Sequence, residues 1–227
     1  YQDEYGLLWI GARDGVKYYD GNKVTPLYFG NQKSWILSNF VPTICGDGNG
    51  HLYINANYSI IKYDLKSGSH EEIFTQDNTR VPPAIAFHYG EDYLWIGLKG
   101  DIFRYGDDGE LSWFASIDDT DAEISTLAVS DSSVWAGTKS SGLWKIDVDG
   151  DKSVVLTDCS EIVTLFEDSS GTIWCGTLNR GLFGIGTDGS TVNYTASGKL
   201  PLANDFVRAV SEDDEGNLWI GTAGGLN

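Results

Sequence analysis

Residues 218–221 read Leu-Trp-Ile-Gly, and the same short pattern returns along the whole 227-residue sequence. Its aromatic position is occupied in turn by Trp9, Tyr53, Trp95, Trp135, Trp174 and Trp219. Successive copies are 39 to 45 residues apart. A pattern that returns with a period of about 42 residues is typical of proteins in which each repeat forms one structural unit. We therefore predict that the six aromatic residues occupy equivalent places in six copies of one unit.

Each repeat contains short stretches of alternating apolar and polar residues, separated by turns rich in Gly and Asp. In the fourth repeat these stretches lie at 124–127, 134–137, 142–147 and 153–156. Turns such as Asp149-Gly150, placed between alternating stretches, are typical of β-hairpins. Four short antiparallel strands in every repeat form the blade of a β-propeller. The predicted fold class is therefore all-β, a β-propeller built of four-stranded antiparallel blades.

The strand pattern also predicts how much of a propeller is present. The second-strand pattern occurs six times, whereas the patterns of the first, third and fourth strands occur five times each. We expect about five blade equivalents in a single propeller region, 1–227, which is a fragment of a larger ring of six to eight blades. The absence of an initiator Met likewise indicates a piece of a longer protein. The predicted repeats lie near 1–40, 41–83, 84–123, 124–160, 161–205 and, in part, 206–227.

Composition excludes several classes of protein. The net charge of −18 argues against a nucleic-acid partner, because phosphate binding needs a concentrated basic surface. No apolar run approaches the roughly 18 residues that a membrane-spanning helix needs. The three cysteines, Cys45, Cys159 and Cys175, are far apart in sequence. We interpret them as small apolar core residues, since free cysteines are usually buried.

Several short motifs resemble chemical sites but fall on predicted strands and turns. Residues 184–189 have the Gly spacing of a dinucleotide-binding loop, but no helix pattern follows them. Residues 147–151 resemble the start of a calcium loop, but the required Gly and bidentate Glu are missing. Ser59 and Lys62 are three residues apart in an alternating strand, so their side chains point to opposite faces. The histidines occupy different places in their repeats: His51, His70 and His88. We predict no metal site, no catalytic site and no cofactor.

Charge is unevenly distributed over the predicted loops. Turns between the first and second strands, and between the third and fourth, would share one face and carry most of the acidic residues. The loops between the second and third strands would lie on the opposite face, where cationic and polar residues recur four residues after the motif aromatic. The candidate ligand-binding residues of this face are Arg13, Trp35, Asn57, Tyr58, Lys99, Lys139, Asn179 and Arg180. Arg and Lys suit carboxylate or sulfate groups, and Trp35 and Tyr58 suit stacking on sugar rings. In the alternative interpretation the cations only solvate the turns, and Trp35 packs on a neighbouring blade.

The repeat resembles the two-component regulator propeller repeat, whose pattern is Asp-x-x-Gly-x-Leu-Trp-Ile-Gly-Thr-x-x-Gly-Leu. The stretch from Asp214 to Thr222 (Asp-Glu-Gly-Asn-Leu-Trp-Ile-Gly-Thr) follows it most fully, and residues 3–11 and 168–176 also match. Asn39 and Asn204 fall on an Asn position of the same family. The second copy departs from the pattern with Tyr53 and Asn55, and the third has Leu98 for Thr and lacks the Gly-Leu pair.

This resemblance implies a function. Such repeats are typical of the periplasmic sensor regions of hybrid two-component systems in Bacteroidetes, in which a membrane-spanning histidine kinase responds to carbohydrate and controls polysaccharide utilisation. The resemblance implies an oligosaccharide ligand, and the recurrent Arg and Lys residues suggest an acidic one. It also implies that the partners are neighbouring domains of the same sensor and that this chain has no enzymatic activity. Exposed sheet edges would favour contacts with a second copy. Propellers host many functions, so a propeller enzyme such as a polysaccharide or lactone-ring lyase, or a protein-interaction scaffold, stays as an alternative.

Overall fold

The computed structural model describes residues 1–28, 40–56, 59–75, 86–90, 92–117, 122–130, 133–157, 159 and 161–227. Within these residues every regular element is a β-strand. The strands form six antiparallel sheets, four of them with four strands and two with three, and in every sheet the strands are adjacent in chain order. The predicted all-β class and its four-stranded antiparallel sheets are confirmed, and one sheet falls within each predicted repeat.

The strands are numbered in chain order. Sheet 1 contains β1 (Leu8–Ala12), β2 (Gly15–Tyr19) and β3 (Val24–Pro26). Sheet 2 contains β4 (Thr43–Gly46), β5 (His51–Ala56), β6 (Ser59–Asp64) and β7 (His70–Thr75). Sheet 3 contains β8 (Ala86–Gly90), β9 (Tyr93–Leu98), β10 (Asp101–Tyr105) and β11 (Leu111–Ser116). Sheet 4 contains β12 (Ile124–Ser130), β13 (Ser133–Thr138), β14 (Leu143–Asp147) and β15 (Lys152–Leu156). Sheet 5 contains β16 (Ile162–Glu167), β17 (Ile173–Thr177), β18 (Leu182–Ile185) and β19 (Thr191–Tyr194). Sheet 6 contains β20 (Val207–Glu212), β21 (Leu218–Thr222) and β22 (Gly225–Leu226).

The described residues contain one more third strand than the sequence predicts. The additional strand, β22, pairs with β21 through Gly221↔Leu226 and Thr222↔Gly225. Two residues are too few to show alternation, although Gly225 and Leu226 match the Gly-Leu pair of the repeat pattern, which also introduces β14 and β18. The chemistry-like motifs lie where the sequence predicts them. Residues 184–189 end β18 and form the turn to β19, and residues 147–151 close the β14–β15 hairpin through a 2.9 Å bond from the Asp147 N–H to the Asp151 carbonyl.

The chain divides into two compact units. Unit 1 comprises residues 1–94 and 104–112, and unit 2 comprises residues 95–103 and 113–227. Sheets 1 and 2 belong to unit 1, sheets 4, 5 and 6 belong to unit 2, and the strands of sheet 3 are assigned partly to each. Each unit has apolar clusters of its own, which supply most of its stability, because burying one aliphatic or aromatic side chain contributes about 1.5–3 kcal/mol.

The repeated aromatic residues lie at equivalent places, in the second strand of sheets 2 to 6 and in β1 of sheet 1, whose three strands correspond to the second, third and fourth strands of the four-stranded sheets. In unit 1, Trp9 packs with Val16, Leu52 and Ile54 in one cluster. In unit 2, Trp135 packs with Ile173 and Cys175, together with Cys159. Cys159 and Cys175 are thus buried core residues, as the sequence predicts, whereas Cys45 is partly exposed. The burial of the aromatic residues varies: Trp9, Tyr53, Trp95 and Trp135 are buried, Trp174 is half-buried and Trp219 is 48% exposed.

The glycine that follows the aromatic residue by two positions allows sheets to approach each other. A Cβ atom on Gly137 would lie 2.5 Å from Cγ2 of Ile162, at the start of sheet 5. A Cβ on Gly176 would lie 2.7 Å from Cγ1 of Val207, at the start of sheet 6. Real side chains do not approach so closely, so only glycine fits at these positions. The glycine of the Trp-x-Gly pattern is therefore required for the close packing of neighbouring sheets within unit 2.

The first strand of sheets 4, 5 and 6 carries a β-bulge at the same place. The register shifts between Ile124 and Thr126, between Ile162 and Thr164, and between Val207 and Ala209. One residue in each strand is therefore left out of the ladder of hydrogen bonds. These extra residues are Ser125, Val163 and Arg208.

Candidate functional site

The predicted ligand-binding residues that the structure describes all lie in loops between second and third strands. Arg13 follows β1 in unit 1. In unit 2, Lys99 follows β9, Lys139 follows β13, and Asn179 and Arg180 follow β17. All five side chains are exposed. Three further candidates, Trp35, Asn57 and Tyr58, lie outside the described residues.

In unit 2, backbone hydrogen bonds join these loops to the segments that enter the following sheets. The Ile124 N–H donates to the Lys99 carbonyl (2.7 Å), and the Lys139 N–H donates to the Glu123 carbonyl (2.9 Å). The Glu161 N–H donates in turn to the Lys139 carbonyl (2.8 Å), and the Leu178 N–H donates to the Glu161 carbonyl (3.0 Å). We call this continuous strip the loop edge of unit 2; its residues are 99, 123–124, 139, 161 and 178–180.

The loop edge carries acids as well as cations. The Lys139 ammonium donates to the Glu123 carboxylate in a partly exposed ion pair. An exposed pair of this kind contributes only about 0–1 kcal/mol to stability, so a ligand can displace it at small cost. The Arg180 N–H donates to Thr177 Oγ1 (2.9 Å), and this bond holds the backbone of the loop while the guanidinium stays exposed. The edge therefore presents cations within a mixed-charge surface rather than a purely basic one.

The motif aspartate has a structural function that the sequence alone did not reveal. Asp168 Oδ1 accepts hydrogen bonds from the N–H groups of Ser170 and Thr172 (both 2.9 Å), and its Oδ2 accepts from the Trp174 indole (2.7 Å). The Gly171 N–H completes the turn by donating to the Asp168 carbonyl (2.9 Å). The same carboxylate–indole bond joins Asp3 to Trp9 (2.7 Å) and Asp213 to Trp219 (2.8 Å). Each aspartate thus fixes both a turn and the ring of the repeat aromatic.

A histidine takes the place of the indole in sheet 2. The motif residue there is Tyr53, which has no indole, and His51 Nδ1 lies 2.7 Å from Asp47 Oδ2. Because a carboxylate only accepts hydrogen bonds, Nδ1 is the donor. Nε2 of His51 is then directed toward Asp64, with its Oδ2 at 3.8 Å.

A polar cavity of about 290 Å³ opens beside this histidine in unit 1. It is lined by His51, Lys62, Asp64, Ser69, His70 and Glu71. His51 and His70 therefore share one cavity, although the sequence places them in unrelated positions of the repeat. The reason is that β5 and β7 both begin at the same end of sheet 2. Among the residues that the structure describes, no three His, Cys, Asp or Glu side chains are grouped so that they could hold a metal ion.

Asp213 is expected to make stability pH-dependent in acid. Hydrogen bonds from the Trp219 indole and then from Asn217 lower the pKa of Asp213 from 3.8 to about 2. Because the folded state favours the ionised carboxylate, its stabilisation is present above the unfolded pKa of about 3.9 and is lost as the pH falls through the folded pKa. The melting temperatures of the wild type and of Asp213→Asn should therefore converge between about pH 4 and about pH 2. A difference that stays constant over this range would contradict the assignment.

Comparison with known proteins identifies one repeat in the sequence. A family model described as two-component regulator propeller matches residues 201–224. No curated protein sequence matches the chain. In the part of the chain that the structure describes, no helix has the length and apolar character needed to cross a bilayer.

Solved structures of proteins with different functions share the fold. Virginiamycin B lyase from Staphylococcus aureus is 17% identical with a TM-score of 0.78, and the match covers 99% of this chain and 76% of the lyase. An extracellular domain assigned to a hybrid two-component system of B. thetaiotaomicron is 15% identical with a TM-score of 0.64, and the match covers 100% of this chain and 38% of that domain. PorZ, a surface component of the type-IX secretion system of Porphyromonas gingivalis, is 18% identical with a TM-score of 0.79, and the match covers 97% of this chain and 36% of PorZ.

At these identities the likeness establishes the fold and no activity. The chain spans little more than a third of the length of the two-component domain and of PorZ. The repeat family that the sequence resembles is confirmed at the place where the pattern is most complete. Residues 201–224 thus form a two-component regulator propeller repeat, within a propeller-type fold that is shared with the extracellular domain of a hybrid two-component system.

Proposed function

We propose that the chain is a ligand-sensing extracytoplasmic module of a membrane-bound hybrid two-component sensor, which responds to products of polysaccharide breakdown and regulates their utilisation. The observation that carries the proposal is the two-component regulator propeller repeat at 201–224. The fold shared with an extracellular domain of a hybrid two-component system supports it. In this proposal the module is periplasmic, and the kinase belongs to another part of the sensor.

The loop edge of unit 2 is the surface best suited to an acidic oligosaccharide. Lys99, Lys139 and Arg180 supply charged donors for carboxylate or sulfate groups, and Asn179 supplies an amide for hydroxyl groups. The Lys139–Glu123 ion pair is weak enough to open for a ligand. Hydrogen bonds from these loops to the segments at 123–124 and 161 would pass a displacement of the loops on to the following sheets.

Binding of an acidic oligosaccharide to the purified chain tests the proposal. We expect calorimetry with oligogalacturonate to show binding that is at least about tenfold weaker in Lys99→Ser/Lys139→Ser, because each lost charged hydrogen bond costs about a factor of ten. Lys66→Ser/Lys199→Ser removes two exposed cations elsewhere and should leave the affinity unchanged.

A second control separates binding from the ion pair. Glu123→Gln breaks the pair but keeps the Lys139 ammonium, so its affinity should equal or exceed that of the wild type. Equal affinity of the double lysine variant and the wild type would reject the loop edge as the site. A full-length sensor that responds to its glycan without residues 1–227 would reject the sensing role itself.

A propeller lyase is the second candidate. Two observations favour it: the fold of virginiamycin B lyase, and the cavity in which the Asp47-bound imidazole of His51 could act as a base. Incubation of the chain with polysaccharides and lactone-ring peptides distinguishes the two functions. New unsaturated products that disappear in His51→Ala would establish the lyase; with a sensor module, no product forms.

A further inference from the structure

A second cavity, of about 340 Å³, lies between sheets 4 and 5 of unit 2. Its lining includes the apolar side chains of Trp135, Val155, Ile173 and Ile185, together with the ammonium-bearing side chain of Lys145. Clefts of this size with mostly apolar walls and few polar groups are typical of small-molecule sites. The cavity is distinct from the loop edge, since Ser130, Ser133 and Thr187 at its rim belong to the opposite ends of the strands.

The indole of Trp135 has an unpaired N–H. Trp135 is 8% exposed, and its Nε1 is buried without a hydrogen-bond partner among the described residues. In three other repeats the equivalent nitrogen donates to an aspartate at 2.7–2.8 Å. A buried donor is rarely left unsatisfied, so the exception requires an explanation.

A shortened turn explains why the aspartate is missing. In sheet 5, the residues beside the turn are Glu167 and Ile173, which pair directly. In sheet 4, the equivalent pair is Val129 and Val134, so the connection is one residue shorter. The ladder there continues to Ser130↔Ser133, and Ser130 occupies the position that Asp168 occupies in sheet 5.

We propose that this cavity binds a small carboxylate-bearing ligand, whose carboxylate takes the place that an aspartate side chain holds in the other repeats. The Trp135 N–H would donate to one oxygen at the distance seen for Trp174, and the Lys145 ammonium would donate to the other. Lys145 lies over the Trp135 ring, 5.8 Å from its centre, and 3.3 Å from Asp147 Oδ1. The apolar walls at Val155, Ile173 and Ile185 suit the carbon face of a single sugar ring.

Binding requires a small rearrangement. Trp135 Nε1 is closed to solvent, so lining side chains must shift to admit an oxygen. The side chain of Lys145 is long and 37% exposed. If its ammonium leaves Asp147 and binds the ligand carboxylate instead, the path to the Trp135 indole opens. Ser133 continues to donate to Asp147 Oδ1 (2.7 Å), which compensates that carboxylate for the lost ammonium.

The inference deepens the proposed function, because it names a ligand class for the module, but its test measures binding to the chain and not signalling. Indole ¹H–¹⁵N resonances of the 227-residue protein are followed during titration with glucuronate, glucose and acetate. We expect the Trp135 resonance, assigned by its loss in Trp135→Phe, to shift with glucuronate. A weaker shift with acetate would support the proposal, because acetate offers the carboxylate but no ring to pack against the apolar walls. An equal shift with neutral glucose, or no shift with glucuronate, would overturn the proposal.

Matched variants locate the interaction. Lys145→Gln should weaken glucuronate binding at least about tenfold, and Trp135→Phe at least about fivefold, since each removes one donor but keeps most of the side-chain volume. Lys62→Gln is the control, because Lys62 pairs with Tyr53 and lies over its ring (5.9 Å) as Lys145 does with Trp135, but Tyr53 has no indole N–H. Equal losses in Lys145→Gln and Lys62→Gln would overturn the site.

A folding control accompanies these variants. Trp135→Phe removes an unpaired donor and leaves no acceptor without a partner, so its melting temperature should fall only by the packing that the smaller ring loses. Trp174→Phe should melt lower, because it leaves the Asp168 carboxylate without its indole. A Trp135→Phe variant that is as destabilised as Trp174→Phe would show that the Trp135 N–H has a partner within the protein, and would overturn the proposal.

Discussion

Replacing Gly142 with alanine is expected to lower the free energy of unfolding by at least about 3 kcal/mol, the sum of overpacking and of left-handed backbone strain. Gly142 precedes β14 with a φ of +79°, a conformation that L-residues rarely adopt. A Cβ atom there would lie 1.8 Å from the Leu156 carbonyl oxygen, and backbone atoms cannot turn aside as a side chain can. Urea denaturation followed by tryptophan fluorescence measures the loss.

Gly150 provides the matched control, because its φ of +91° is also positive but nothing lies within 4 Å of the added Cβ. Gly150→Ala should therefore cost only the strain of the left-handed backbone, about 1–2 kcal/mol. The difference between the two variants isolates the steric clash. Equal losses would mean that the β14–β15 pairing relaxes around Gly142 and that the close approach is not required by the fold.

Removal of the Asp168 side chain is the second change with a large expected effect. Asp168→Ala should lower the free energy of unfolding by about 2–4 kcal/mol, since it leaves two backbone N–H groups and the Trp174 indole without their acceptor. Burial opposes ionisation of this carboxyl, but the hydrogen bonds from Ser170 and Trp174 outweigh it and lower the pKa of Asp168. The carboxylate is thus held in its charged form by the donors that it satisfies.

Asp188→Ala is the comparison for this variant. Asp188 also caps a turn, where it accepts from the Ser190 N–H (2.9 Å), but it is exposed and binds no indole. Its replacement should lower the urea midpoint much less than Asp168→Ala does. A similar decrease for both would indicate that turn capping alone, and not the bond to the repeat aromatic, explains the motif aspartate.

The sequence predicts the arrangement of strands because each strand has a local signal. Alternation identified residues 124–127 and 142–147, and the fixed position of the aromatic residue placed the second strand of every sheet. Hydrogen bonds between side chains have no such signal. Trp174 and Trp135 pair at equivalent positions of their ladders, but the connection before Trp135 is one residue shorter and has Ser130 where sheet 5 has Asp168. Counting from the aspartate to the aromatic residue, six positions for Asp168 and four for Asp131, would have revealed the exception.

The sequence predicts which loops carry the candidate residues, but it does not predict the side chains with which those residues interact. The periodic position of Lys99 and Lys139 correctly placed both in loops between second and third strands. The ion pair of Lys139 with Glu123 joins residues 16 positions apart, at the open end of the β12–β13 hairpin, and the alternation that identifies the strands carries no signal for a pair of side chains there. His51 and His70 likewise meet only because antiparallel strands return to the same end of sheet 2. Ligand binding at the loop edge of unit 2, and in the cavity between sheets 4 and 5, stays a prediction.

The recurrent bulges in sheets 4, 5 and 6 have a consequence for how such modules diversify. Ser125, Val163 and Arg208 stand at corresponding points of the backbone, yet they offer a hydroxyl, an alkyl group and a guanidinium. The neighbouring pairs of each ladder form without these residues, so the ladder does not fix their identity. Ser125 nevertheless joins sheets 4 and 5, because its hydroxyl donates to the carbonyls of Gly137 and Ile162. Exchange of a single codon at Val163 or Arg208 would therefore change the group that a repeat presents, while the pairing of its strands stays the same.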